Sequence, residues 1–234
     1  MKTMIRRMSA MMALCLIAVT KLQAQYVPVN PYQPYNPYQP YYTMGPFYLG
    51  VDVGGVIVQD LKIRNTGSTV SFDPGVRGDF IFGCQVADQI AVEFETGTLW
   101  NRMDKVDGVS FSSLGERADL YQIPFLANIV FRAPLNNGVS IYVGAGCGGV
   151  ASELDLTQTD NVGDRSHSYD TDATFAYQGK VGVSYAFAPN MEVDLSYKFL
   201  GTLSHTWFEG NSFLFANSDP IYSHSILASF TWRF

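Results

Sequence analysis

From residue 47 to the end of the chain, apolar and polar positions alternate in long runs. A period of two is the signature of an extended strand with two unlike faces. The last run is the plainest. Tyr222, His224, Ile226, Ala228, Phe230, Trp232 and Phe234 share one face, and Ser223, Ser225, Leu227, Ser229, Thr231 and Arg233 share the other. The same reading predicts eight strands, over about 47–59, 70–85, 90–101, 119–132, 139–152, 174–187, 191–202 and 221–234. The first presents Phe47, Leu49, Val51, Val53 and Ile57 on its apolar face; the second presents Phe72, Val76, Phe80 and Phe82. Ile90, Val92, Phe94 and Trp100 follow on the third, and Tyr121, Ile123, Phe125, Ala127, Ile129 and Phe131 on the fourth. Val139, Ile141, Val143 and Ala145 mark the fifth, Tyr177, Val181, Val183, Tyr185 and Phe187 the sixth, and Met191, Val193, Leu195, Tyr197 and Phe199 the seventh.

No Asp, Glu, Lys or Arg falls on these apolar faces, whereas the opposite faces carry Asp52, Arg77, Asp79, Glu93, Glu95, Arg132, Lys180, Glu192, Asp194, Lys198 and Arg233. Hydrocarbon enforces such a separation, since Arg or Lys facing lipid at the midplane costs about 2–4 kcal/mol. The connections alternate too. Those near 87–89, 134–138 and 188–190 are short, and those at about 60–69, 102–118, 153–173 and 203–220 are long. The expected fold is therefore all-β: an eight-stranded antiparallel transmembrane β-barrel with short periplasmic turns and long extracellular loops. Both termini are then periplasmic. The aromatics at strand ends (Trp100, Tyr121, Tyr222, Trp232) suit interfacial girdles. A water-soluble barrel with its apolar face turned inward shares the alternation. Its interior, however, would have to hold most of the 16 Phe, 14 Tyr and 3 Trp, which a small barrel cannot fit.

The N-terminus is of another kind. Lys2, Arg6 and Arg7 precede an apolar run from Met8 to Thr20, and Ala24 offers a cleavage point, so residues 1–24 read as a secretory signal. The apolar run is too short for a spanning helix of about 20 residues. Removing the signal removes four basic residues and moves the formal charge from −6 to −10, with 11 basic groups left against 21 acidic. That balance argues against nucleic acid as a partner. Cys84 and Cys147 then remain, both expected on apolar strand faces and too few for a disulfide framework. Residues 25–46 carry proline at 28, 31, 34, 37 and 40, with Tyr32, Tyr35, Tyr38 and Tyr41 at the same period. Polyproline II has three residues per turn, so the tyrosines form one stripe along a periplasmic rod of roughly 40 Å. A spacer is the plainer reading of it, and a docking strip for a cell-wall or protein partner the sharper one.

The strands resemble the OmpA-like, opacity-type family of eight-stranded outer-membrane barrels. The resemblance covers residues 47–234 and rests on Phe47-Tyr48-Leu49-Gly50-Val51, Phe72-Asp73-Pro74-Gly75 and Ile123-Pro124-Phe125-Leu126-Ala127-Asn128. Tyr142-Val143-Gly144-Ala145-Gly146 and the run from Tyr177 to Tyr185 complete it. It implies a bacterial outer-membrane location, contact with outer-membrane lipids and lipopolysaccharide, and a narrow or plugged interior. Phe230, Trp232 and Phe234 in the closing strand are then the signal read by the barrel-insertion machinery.

An eight-stranded barrel is just wide enough for side chains to fill it. Asp52, Arg77, Asp79, Glu93, Glu95, Lys180, Asp194, Lys198 and Arg233 are thus expected to pair across the interior as a charge network. Inward glycines, among them Gly83, Gly97, Gly144, Gly146 and Gly182, leave room for the long arms. The expected role is structural or surface-interaction, through the extracellular loops. Trp207, Phe208, Phe213 and Phe215 in the loop 203–220 form a candidate contact surface, and the acidic loop 153–173 is a second. A small transport channel is the alternative. A lipid-A-modifying enzyme is a third reading, with His167 beside Ser166 and Ser168, or His224 beside Ser223 and Ser225. Neighbours in a strand point to opposite faces, so these serines are badly placed for their histidines. No catalytic site, cofactor or metal site is expected, since the three histidines are scattered.

Overall fold

A strand inside hydrocarbon must pair on both edges, because each unsatisfied backbone group costs several kcal/mol there. The strands of this protein meet that demand by closing into a ring. The computed structural model describes residues 45–64, 67–114, 116–159, 165–205 and 218–234. Its strands are β1 (Phe47–Val58), β2 (Leu61–Lys62), β3 (Thr69–Phe72), β4 (Gly75–Ala87), β5 (Ile90–Val106), β6 (Val109–Ser110), β7 (Glu116–Pro134), β8 (Val139–Thr159), β9 (Arg165–Ala188), β10 (Met191–Thr202) and β11 (Tyr222–Arg233). A short 3-10 turn covers Phe111–Leu114.

Eight of these form the barrel, each antiparallel to its neighbours in the cyclic order β1-β4-β5-β7-β8-β9-β10-β11. The seam is the β1–β11 ladder, continuous from Tyr48↔Arg233 to Val58↔Ser223. The β5–β7 ladder skips from Thr96↔Phe125 to Leu99↔Gln122, where Pro124 has no N–H to give. Among the short connections, the one after β7 reverses through Asn137 and Gly138 with φ of 59° and 77°. Glycine and asparagine tolerate that left-handed region best.

The faces are inside out relative to a soluble barrel. Phe80, Val53 and Ile226 are 68%, 67% and 64% exposed on the outer face, while Glu95 and Arg77 are 0% and 1% exposed within. An apolar wall around a charged core is stable only where the outer solvent is hydrocarbon, and it rules out the soluble alternative. Cys84 and Cys147 are free thiols, Cys147 exposed on the outer face.

Four expectations need correction. The run 70–85 is not one strand. It breaks at Asp73-Pro74 into β3 and β4, with the Asp73 N–H donating to the Arg102 carbonyl at 2.8 Å. Phe72 consequently leaves the lipid face and packs against a buried apolar cluster. The supposed loop 153–173 is mostly ladder, since β8 and β9 stay paired from Val139↔Tyr185 to Thr159↔Arg165. There the outward positions become Glu153, Asp155 and Thr157 opposite inward Leu154. A strand that leaves the membrane keeps its period but exchanges its outer solvent. Residues 102–118 hold the end of β5, the β5–β6 hairpin and the 3-10 turn.

Candidate functional site

The barrel interior and its outer rim are the places where this chain gathers polar chemistry. Inward positions on β1, β4, β5, β9 and β10 converge at mid-height because each strand delivers its charge at the same level of the register. Asp52, for example, lies opposite Asp79 on β4 and Ser229 on β11. Lys198 is the hub. Its Nζ stands 2.7 Å from Asp52, 2.8 Å from Asp79 and 2.8 Å from Glu95, with a side chain only 1% exposed. Arg77 braces the same two acids, at 2.8 Å from Asp79 and 2.9 Å from Glu95, and its Nη2 donates to Gln178 Oε1 at 2.8 Å. Lys180 pairs with Glu93 and lies 3.7 Å from Glu95.

Two tyrosines complete the level nearer the short turns. Tyr48 Oη donates to Glu93 at 2.7 Å, and Tyr142 Oη donates to Asp194 at 2.7 Å. Each ring crosses a glycine on the adjacent strand, Tyr48 over Gly83 and Tyr142 over Gly182, at a position that a β-carbon would fill. Arg132 reaches Glu192 at 2.8 Å, and Arg233 lies 3.5 Å from Glu192 with its guanidinium over the Tyr48 ring. All nine expected network residues thus stand together in one interior. Asp194 departs from simple ion pairing, since its carboxylate accepts from the Tyr142 phenol. Between these groups a cavity of ≈ 20 Å³ remains, about the room that one water needs.

The alternation of charge gave no notice of what lies above. Val56, Leu99, Leu126, Val150, Ala176 and Leu200 form a buried apolar layer across the barrel. Beyond it, Val58, Leu61, Ile63, Val70, Met103, Phe111, Ala118, Leu120, Leu154 and Ile221 form a second, wider cluster. The elements β2, β3 and the 3-10 turn supply part of it; β2 and the 3-10 turn lie in stretches expected to be loop, and β3 in the run expected to continue into β4. Inward leucine and valine look like ordinary alternation failures until the register aligns them at one height.

A third polar group lies at the rim. His205, fully buried, faces Thr202 Oγ1 at 3.1 Å through Nε2 and Asp172 Oδ2 at 3.3 Å through Nδ1. Thr202 Oγ1 also accepts the Ile221 N–H at 3.1 Å. This cluster was missed because its members come from β9, β10 and the residues beyond, with no local spacing to mark them. Asp107, in the β5–β6 turn, accepts the Thr69 N–H at 2.8 Å, and that bond holds its carboxyl below the usual range.

His224 is outward, between Tyr197 Oη at 2.6 Å and the Gln59 amide at 2.8 Å. Ser223 and Ser225 are both 1% exposed on the opposite face, so neither meets that imidazole. His167 lies in β9, not in a loop; its side chain, with those of Ser166 and Ser168, falls outside the described residues. The same is true of Trp207, Phe208, Phe213 and Phe215, and of Tyr32, Tyr35, Tyr38 and Tyr41. Phe230, Trp232 and Phe234 line the outer face of the closing strand, and Phe234 stacks on Phe47 at 6.4 Å. No group of three metal-ligating side chains occurs among the described residues.

Comparison with known proteins agrees with this architecture. The solid-state NMR structure of outer membrane protein AlkL in lipid bilayers aligns with a TM-score of 0.54 and 15% identity, over 89% of this chain and 96% of that one. Neisserial surface protein A aligns at 0.49 and 17%, over 81% and 98%. Ail, the attachment invasion locus protein of Yersinia pestis, aligns at 0.45 and 12%, over 80% and 99%, in its complex with a heparin analogue. No curated protein sequence matches significantly. The family model for the outer membrane protein β-barrel domain matches residues 14–234, and the chain belongs to that family of bacterial outer-membrane barrels.

Proposed function

We propose that this protein is a sealed outer-membrane barrel that works through its outer surface and extracellular elements, and neither conducts nor catalyses. One observation carries the reading. The interior is filled at successive heights by an ion-pair level and two apolar clusters, and the cavity among the charges measures ≈ 20 Å³. An ion crossing the apolar layer would have to shed its hydration against Leu99, Leu126 and Leu200, and the neutral Ser223 and Ser225 hydroxyls of β11 beside them would replace little of it. Planar-bilayer recording of the purified full chain tests this directly. The expected record is flat, and reproducible discrete openings would overturn the proposal.

The remaining assignments follow from the same frame. The start of β1 and the end of β11, joined by the Phe234 N–H to Phe47 carbonyl bond at 3.0 Å, lie on the short-turn side, which we take as periplasmic. The Pro/Tyr segment 25–46 then serves as a spacer, or as a strip for a cell-wall or protein partner, beneath the membrane. Phe230, Trp232 and Phe234 provide the signal for the insertion machinery, and the segment 203–220 with the β8–β9 hairpin provides the surface contact. Unchanged lipid A after overexpression is the expected result for a barrel without a deacylase site.

A further inference from the structure

We infer that Asp170 and Asp172 close the upper edge of β9, so that the β8–β9 hairpin cannot pair strand to strand with a second copy of this chain. β9 outlasts its neighbour on one side. Its ladder with β8 continues to Thr159↔Arg165, whereas its ladder with β10 ends at Thr202↔Ala176. One further bond follows, from the Leu203 N–H to the Phe175 carbonyl at 2.9 Å. Above it, among the described residues, no strand lies along this edge of β9. Such an edge offers a row of N–H and C=O groups to any extended chain.

The register names the backbone groups concerned. In an antiparallel sheet, alternate residues turn N–H and C=O to one neighbour, and the residues between turn them to the other. Phe175 faces the β10 side, and Ala173 and Thr171 share its parity, so their N–H groups belong to the open edge. Both are already taken. Asp172 Oδ1 accepts the Ala173 N–H at 2.9 Å, and Asp170 Oδ1 accepts the Thr171 N–H at 3.0 Å. A strand arriving here would have to displace two carboxylate acceptors, and charge-assisted bonds are roughly twice as strong as neutral ones.

One of the two guards is anchored. Asp172 Oδ2 lies 3.3 Å from Nδ1 of the fully buried His205, and His205 Nε2 lies 3.1 Å from Oγ1 of Thr202, the last residue of β10. Thr202 Oγ1 in turn accepts the Ile221 N–H at 3.1 Å. Where the backbone ladder between β9 and β10 stops, side chains carry the connection on, from the Ile221 amide to the Ala173 amide. Swinging Asp172 away from the edge would break that chain as well.

Geometry also selects the copy that is kept off. Two chains in one membrane send β9 the same way, toward the short turns, and their edges meet only in parallel. Two chains whose extracellular ends face each other meet antiparallel about a two-fold axis, which is the stronger pairing. Without the guards, hairpins on opposed surfaces would join head to head. The guards act whether or not the hairpin makes the surface contact proposed above, and they leave its faces, not its edge, for that contact.

The test compares the full chain with two double variants in detergent micelles, where extracellular ends are able to meet. Asp170→Ala with Asp172→Ala removes both acceptors. Asp170→Asn with Asp172→Asn removes the charge but keeps an oxygen for each N–H. Analytical ultracentrifugation reads the protein mass per particle, and deuterium exchange reads the Thr171 and Ala173 amides. The wild type and the Asn pair are expected as single copies at every concentration. The Ala pair is expected to double its mass as concentration rises, with both amides exchanging more slowly in the dimer than in the dilute sample. Folding is checked by unboiled gel mobility. If the Ala pair does not fold, Asp170→Ala alone, which leaves the His205 chain intact, is expected to dimerise to a smaller fraction. A paired wild type, a folded Ala variant that stays single, or an Asn pair that doubles as fully as the Ala pair would each overturn the guard. So would a dimer whose Thr171 and Ala173 amides exchange as fast as in the single copy.

Discussion

Replacing Lys198 with methionine tests whether the interior is an ion-pair network or only a collection of tolerated charges. Methionine keeps most of the volume, so packing changes little while one cation disappears. Lys198 Nζ lies within 2.8 Å of three carboxylates, and the loss is unequal among them. Asp79 and Glu95 keep Arg77 at 2.8 and 2.9 Å. Asp52 has no other cation within ion-pair distance among the described residues, and it is 6% exposed. Removing one partner of a buried pair costs about 3–5 kcal/mol, because the survivor stays buried and uncompensated. With a urea dependence near 2 kcal/mol per molar, that lowers the unfolding midpoint by about 1.5–2.5 M. The assay is urea titration in lipid vesicles, followed by the difference in gel mobility between folded and unfolded barrel. Asp52→Asn in the Lys198→Met background removes the stranded charge and should recover about 1–3 kcal/mol of the loss. A Lys198→Met midpoint within about 0.5 M of wild type, or a double variant no better than the single, would refute the network.

The remaining predictions probe other levels of the barrel. Leu126→Ala empties part of the apolar layer around a fully buried side chain, and should cost about 2–5 kcal/mol in the same titration. Gly83→Ala places a methyl where the Tyr48 ring lies. It should cost about 1–3 kcal/mol and break the Tyr48–Glu93 hydrogen bond, which the hydroxyl's NMR signal would report. Asp107 titrates below the ordinary carboxylate range because the ionised form accepts the Thr69 N–H. A depressed carboxyl contributes stability above its unfolded-state value and loses it as pH falls through the folded one. Protection of the Thr69 amide from deuterium exchange, corrected for the intrinsic pH dependence, should therefore drop below the usual aspartate range. In Asp107→Asn that step should vanish.

How much of this was legible in the sequence depended on which solvent wrote the pattern. Where a strand crosses hydrocarbon, every outward residue obeys one rule, so Val53, Phe80 and Ile226 announce the strand, the face and the membrane together. Charges excluded from that face could only be inside, and the nine network residues followed from parity alone. Their pairing did not follow, because a partner is set by register between strands that are far apart in sequence: Lys198 meets Asp52 over the intervening β11 and Glu95 across the barrel. Beyond the membrane the rule lapses. Glu153 and Asp155 are outward strand residues in water, and their polarity resembled a loop, although β8 and β9 remain paired to Thr159↔Arg165. The break at Asp73-Pro74 was in plain view as a Pro-Gly pair, but the apolar Phe72 disguised it by extending the alternation through it.

The same distinction separates the two apolar layers from the charges beneath them. Inward charge is informative because it is forbidden outside. An inward leucine is permitted on either side of the wall, so Leu99, Leu126 and Leu200 say nothing until the register sets them at one height. That height matters more than the composition of the network. The carboxylates and cations near mid-barrel would suit an ion path as well as a plug, and a polar level by itself cannot distinguish them. An apolar layer stacked over the polar one can, because hydration lost against leucine is not returned. Sealing therefore resides in the layer that the sequence leaves least marked. A variant that opens this barrel should come from Leu126 or Leu200 replaced by a small polar residue, and bilayer recording should show Lys198→Met still closed.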